Sequence, residues 1–276
     1  MKRFLLCTDL DRTLIPNGAL PESPAAANLF QQLVNRPEVT LAYVTGRHRA
    51  LVEQAILDFD LPQPDFVIAD VGTTIYQVDA SGWRHWDAWD AQIAPDWQAL
   101  THDDIYRQLN VFPMLSLQEN AKQNRYKLSF YAPLETDAQE LIDEMDKRLK
   151  YAGIKANLIW SIDEPAKLGL LDVLPASANK LHAIRFLMQQ GDFAHENTVF
   201  AGDSGNDLEV LLSNIPSVLV ANASADVRRR VAHAHTGTIY VAKGGYLEMN
   251  GNYRGGILEG IAHHLPDVDA WLREQH

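Results

Sequence analysis
The 276-residue chain reads as α/β: a Rossmann-like parallel-sheet core interrupted by an inserted α+β domain. Three observations predict this. Near-continuous apolar runs alternate with helical patterns in the first and last thirds, as in a parallel sheet covered on both faces. Between them, residues 83 to 170 change texture to alternating strands and one strong amphipathic helix. The chemically telling polar residues stand where apolar runs stop, which in open α/β sheets is where ligands bind.

Taken in order, "FLLCTDL" predicts a first strand, residues 24 to 35 a helix and "VTLAYVTG" a second strand. Residues 48 to 58 predict a helix and "FVIADVG" a third strand. Trp83, Trp86, Trp89 and Trp97 open the inserted segment; such a stripe is read as packing rather than as a sugar-stacking platform. "RYKLSFYA" alternates like a half-buried strand, "DAQELIDEMDKRLKYAG" is a helix stopped by Gly153, and "IKANLIWS" is another strand. The parallel idiom then returns in "GLLDVLP", a helix at 178 to 190, "TVFAGDS", a short helix at 206 to 213, "SVLVAN" and a helix at 224 to 233. A last strand "TIYVA", a Gly-rich loop and one closing helix complete the pattern. The expected boundaries are 1–82 with 171–276 for the core and 83–170 for the insertion.

Charge and composition narrow the function. With 24 basic and 36 acidic residues the formal charge is −12, the wrong sign for a nucleic-acid or anionic-membrane binder. A site for an anion here needs local cations, helix N-termini or a metal. The single cysteine, Cys7, excludes an intrachain disulfide and reads as a small buried thiol. The N-terminal apolar run is broken by Asp9 and Asp11, so no signal peptide is expected, and no run of about 18 apolar residues predicts a membrane span. The expected location is cytoplasmic. The histidines at 233, 235, 263, 264 and 276 lack metal-ligand spacing and read as surface residues.

Four signals sit at strand ends: Asp9 and Asp11; Thr45 and Gly46; Lys180; and Asp203, Asn206 and Asp207 in "GDSGND". Gathered on one sheet edge, such carboxylates repel unless a cation lies among them, and an all-oxygen set suits Mg²⁺. A lysine, a threonine hydroxyl and helix-start N–H groups hold phosphate oxygens. One carboxylate can attack phosphorus while a neighbour moves the proton. Asp9 fits the first role and Asp11 the second.

"DLDRT", "VTGR", Lys180 and "GDSGND" resemble, in order, the four motifs of the haloacid dehalogenase superfamily of phosphatases. The resemblance implies Asp9 as nucleophile and metal ligand, and Asp11 as general acid/base and metal ligand through its carbonyl. It implies Thr45, Gly46, Lys180 and Asn206 around the phosphate, and Asp203 and Asp207 around the metal. The inserted domain is similar to the α+β caps of the sugar-phosphatase branch. "ADVGTTIY", "NRYKLSF", "LPASANK" and "GGILEGIAHHL" resemble stretches of the sucrose-phosphate phosphatase family. That implies sucrose 6-phosphate as substrate, a sugar-phosphate synthase as partner, and sugar contacts from Gly72, Thr73, Asn124 and Lys127. Where many members carry Asn between the motif's second Asp and its Thr, this chain has Arg12.

Other readings compete. A phosphatase of mannosylfructose phosphate or of a glucosylglycerate-type ester uses the same motifs, as does a phosphomutase. A dehalogenase gives Asp11 no proton to move. A phosphosugar sensor has no need of a nucleophile, and a receiver-type signalling domain has no need of a cap.

Overall fold
The computed structural model describes residues 1–163, 166–233 and 237–276. His235, and Glu164 and Pro165 within "SIDEPAK", lie outside the described residues. The chain forms two compact units, Met1–His85 with Lys180–His276, and Trp86–Asn179.

The first unit begins with β1 (Phe4–Thr8), α1 (Ala26–Val34), β2 (Val39–Val44), α2 (Arg49–Asp58), β3 (Phe66–Ala69) and the hairpin β4 (Thr74–Asp79) and β5 (Gly82–His85). The second unit contributes α3 (Asp87–Ile93), α4 (His102–Leu109), β6 (Ser116–Leu117), β7 (Leu128–Pro133), α5 (Ala138–Tyr151), β8 (Ala156–Asp163) and β9 (Leu168–Pro175). The chain then returns through α6 (Lys180–Gly191), β10 (Thr198–Gly202), α7 (Leu208–Leu211), β11 (Ser217–Leu219), α8 (Ala225–Ala232), β12 (Ile239–Val241), α9 (Tyr253–His264) and α10 (Pro266–Gln275).

In the first unit the strand order is β12-β11-β10-β1-β2-β3-β4-β5, parallel from β12 to β3. Every residue of β1 and β10 is buried, as expected for central parallel strands. The sheet ends in two antiparallel pairings, β3–β4 and β4–β5, where a parallel sheet alone was expected. Its tight entry, with Asp70 and Val71 at positive φ followed by Gly72 at φ 99°, reverses the chain within three residues. α9 is buried along most of its length because Gly260 lies flat on β11; a Cβ there would stand 2.2 Å from Val218 Cγ2. A second closing helix, α10, follows at Pro266, a residue suited to a first helical turn.

The second unit is a four-stranded antiparallel sheet, β6-β7-β9-β8. "GLLDVLP" was expected to rejoin the parallel core, but β9 pairs antiparallel with both β7 and β8. The unit therefore runs to Asn179, not to 170, and starts at Trp86, because Trp83 belongs to β5. Trp89 and Trp97 are fully buried within it, and Trp83 packs against Tyr76 beneath the Arg49 guanidinium. α4 opens with a Thr101–Asp104 capping box, and α5 opens on the Asp137 cap. Among the described residues no helix is long and apolar enough to cross a membrane.

Candidate active site
The carboxyl ends of β1, β2 and β10, with the start of α6, supply the site. Asp9 follows directly on β1 and is 5% exposed; its N–H donates to Ala201 O of the neighbouring strand at 2.9 Å. Lys180, the first residue of α6, is 3% exposed and its Nζ donates to Asp9 Oδ1 at 2.8 Å and Asp207 Oδ1 at 2.7 Å. The longer Nζ to Asn206 Oδ1 approach is 3.5 Å. Carboxylate oxygens of Asp9, Asp203 and Asp207 lie within 4.8 Å of one another.

Asp207 is the anchor of this group. Its Oδ2 accepts from the backbone N–H of Asp203 and of Ser204, each at 3.1 Å, and from Ser204 Oγ at 3.0 Å. The close turn depends on Gly202, where a Cβ would meet the Asp207 carboxylate at 2.7 Å. Asp203 Oδ1 accepts from the Thr13 hydroxyl at 3.2 Å, so the last residue of the first motif supports the fourth motif.

The electrostatics are unbalanced. Burial pushes the Asp9 carboxyl above the usual range; Lys180 opposes this, and Asp207 and Asp203 add to it. Asp203 is pushed up to about 6, by burial first and by Asp207 second. Burial disfavours charge on Lys180, but Asp207 and Asp9 overcome that and raise its pKa. With all three carboxylates ionised against one ammonium (−3 + 1), the charge in this buried space would be −2, which is why protons are favoured on Asp9 and Asp203. That residual charge, with an all-oxygen donor set, fits a hard divalent cation.

Asp11 does not join the cluster through its side chain. Arg47 grips it bidentately, Nε to Oδ2 at 2.8 Å and an Nη to Oδ1 at 2.6 Å, and Asn17 Nδ2 donates to Oδ1 at 2.8 Å. Burial works against ionisation there, but Arg47 outweighs it and holds the carboxyl below its usual range. Thr45 is buried at the end of β2 and its Oγ1 accepts from Arg47 N–H at 3.1 Å, beside exposed Gly46. Thr73 is also buried, its hydroxyl donating to Asp70 O at 3.0 Å next to Gly72.

Asn124 and Lys127 belong to the second unit and face each other across an isolated bridge. Lys127 Nζ stands 3.7 Å from Asp172 Oδ2, and Ser129 Oγ donates to Asp172 Oδ1 at 2.5 Å. Sequence reasoning missed Arg47, Asn17, Thr13 and Asp172. Arg47 was in plain view within "VTGR" and Thr13 within "DLDRT"; Asn17 and Asp172 carry no signal of their own. His264 is not a plain surface residue: it is half-buried, and Nε2 lies 3.0 Å from Ser217 O. Cys7 is buried, and burial pushes its thiol pKa far up, so it offers no thiolate.

Residues 2–265 match the family model described as sucrose-6F-phosphate phosphohydrolase. The chain belongs to that family. Family membership makes it a phosphoric monoester hydrolase of the haloacid dehalogenase type. A HAD-like hydrolase of Nitrosococcus oceani is 51% identical, over 98% of this chain and 74% of that protein. Sucrose-phosphatase 1 of Nicotiana tabacum is 29% identical over 84% of this chain, which spans 53% of that relative's length. The solved sucrose-phosphatase of Synechocystis sp. PCC6803, in complex with sucrose and phosphate, superposes with a TM-score of 0.74 at 27% identity. It covers 96% of this chain and 98% of that one.

Proposed function
We propose that the protein is a Mg²⁺-dependent phosphatase of sucrose 6-phosphate, acting through an aspartyl-phosphate on Asp9. The observation that carries this is the buried cluster of Asp9, Asp203 and Asp207 around Lys180, with its uncompensated negative charge, at the strand ends of a family member. Asp9 and Asp203, with the Asp11 carbonyl and Asp207 behind them, would hold Mg²⁺. The ion, when bound, offsets the repulsion between the carboxylates and an incoming phosphate.

The chain's own groups supply the rest. Asp9 attacks phosphorus, the bond to the sugar oxygen breaks, and Asp11 delivers the proton that oxygen needs. Thr45, Gly46 N–H, Lys180 and Asn206 hold the phosphate oxygens. Water then attacks the acyl phosphate, Asp11 takes its proton, and Asp9 is regenerated with release of phosphate. Arg47 keeps Asp11 ionised in the resting state, which is the form the second step uses. The first step uses the protonated acid, so the Arg47 contact must loosen before the sugar leaves. Gly72, Thr73, Asn124 and Lys127 are the proposed sugar contacts. A synthase that makes the sugar phosphate is the proposed partner, since its product is this enzyme's substrate, and the cytoplasm is the proposed location.

Phosphate release from sucrose 6-phosphate, mannosylfructose phosphate, a glucosylglycerate-type phosphate, glucose 6-phosphate and fructose 6-phosphate, with Mg²⁺ and with EDTA, tests the reading. The expected result is EDTA-sensitive release with clear preference for sucrose 6-phosphate. Preference for another glycoside phosphate overturns the substrate and keeps the chemistry. Binding without release overturns the chemistry.

A further inference from the structure
Arg12, the residue between the second acid of the first motif and its threonine, has no part in the scheme above. Its backbone is left-handed, φ 60°, which is uncommon for a residue with a Cβ. The loop pins it on both sides: its N–H donates to Asn17 Oδ1 at 2.8 Å, and its carbonyl accepts from Asn222 Nδ2. From that fixed backbone the guanidinium reaches the carboxylate cluster, with Nε 3.5 Å from Asp203 Oδ2. The Asp203 side chain is 2% exposed and that of Arg12 is 52% exposed, so a cation reaches in from solvent to a buried acid. With Thr13 on Oδ1, both oxygens of Asp203 are engaged by neighbouring residues of one turn.

We propose that Arg12 is a resident counter-cation of the metal site, which neutralises Asp203 while the divalent ion is away and weakens the ion's binding when it arrives. The inference rests on the reading of Asp9, Asp203 and Asp207 as a Mg²⁺ site. The charge count supports it: Arg12 brings the cluster from −2 to −1 (−2 + 1) without closing the gap. An incoming ion must take an oxygen that Arg12 holds or sit close to a like charge. At about 5 Å in water-like surroundings, repulsion between a divalent ion and a guanidinium amounts to roughly tenfold in affinity. Solvent and salt screen a half-exposed arginine, which keeps the effect from growing much beyond that. An Asn at this position carries no such charge.

The test is Mn²⁺ binding followed by the EPR signal of the free ion, without substrate or phosphate, and its displacement by Mg²⁺. The proteins are the wild type, Arg12→Asn, Arg12→Lys and Asp203→Asn. Asn tolerates positive φ, so Arg12→Asn keeps the loop conformation; Arg12→Gln is the second variant if circular dichroism shows that it does not fold. The expected result is about tenfold tighter binding of both ions by Arg12→Asn, near-wild-type binding by Arg12→Lys, and a difference that shrinks as KCl rises. Unchanged or weaker binding by folded Arg12→Asn, with saturable wild-type binding abolished in Asp203→Asn, overturns the role of Arg12 alone. No saturable binding by the wild type overturns the metal reading, and this inference with it.

Discussion
Two groups of buried carboxylates in the same unit are treated in opposite ways. Glu259 on α9 is 6% exposed, and its oxygens accept from Tyr240 Oη at 2.8 Å and from the backbone N–H of Lys243 and Gly244, each at 2.9 Å. Three donors tie down the loop that leads toward α9. Asp9, Asp203 and Asp207 instead crowd one another around a single ammonium, and burial with mutual repulsion pushes Asp9 and Asp203 upward. A structural acid is satisfied by the groups around it. The acids proposed for chemistry are instead left with a charge that a bound ligand would offset.

The comparison can be broken from either side. Asp9→Asn should cut phosphate release at least about 10³-fold while leaving the circular dichroism spectrum intact, because the proposed nucleophile has no substitute. Wild-type-like turnover would remove Asp9 from the chemistry. Lys180→Met should lower stability in EDTA by about 3–5 kcal/mol, read from urea midpoints, since it strips the one cation from two buried acids. A loss well under that range would mean that the cluster is compensated by something other than Lys180.

The satisfied acid should behave differently. Glu259→Gln replaces one acceptor oxygen by a donor and leaves a buried N–H or hydroxyl unpaired, a loss of about 1–3 kcal/mol. The loss should be the same with Mg²⁺ and with EDTA, measured by urea denaturation. If Mg²⁺ changed it, the two regions would be coupled and the contrast would fail.

The same contrast explains what the sequence disclosed. Asp9, Lys180, Asp203 and Asp207 were legible because the chemistry proposed for them requires particular side chains at strand ends, and the parallel core that gathers them has a plain apolar rhythm. Glu259 was not, since two of its three partners are backbone N–H groups, which any residue supplies. β9 was placed in the wrong sheet because an apolar run reports burial and not direction; its partner β7 lies some forty positions upstream, beyond any local periodicity. The β3–β4 reversal was missed for a related reason: its turn at Asp70–Gly72 rests on positive φ at two non-glycine residues. The Arg47 grip on Asp11 joins residues 36 apart in sequence and is visible only once β1 and β2 lie side by side.

An effect no larger than that of Glu259→Gln weighs the unsatisfied charge most directly. Asp203 has its carboxyl raised from an ordinary 3.8 to about 6, so the folded protein binds that proton more tightly than the unfolded chain. A raised carboxyl pKa contributes stability that is fully present below about pH 4 and is lost as pH rises through about 6. Other acids, among them Asp104 and Asp269, are held low and slope the opposite way, so the wild-type curve alone is not diagnostic. Asp203→Asn removes the one titration and keeps an acceptor for Thr13. In EDTA, wild-type stability minus variant stability should therefore fall by about 1–3 kcal/mol between about pH 4 and pH 6.5. Saturating Mg²⁺ should flatten that fall, because the ion supplies the charge that the proton had supplied. A difference that stays level with pH in EDTA would mean that Asp203 folds as an ordinary acid, and that the cluster is no more strained than Glu259.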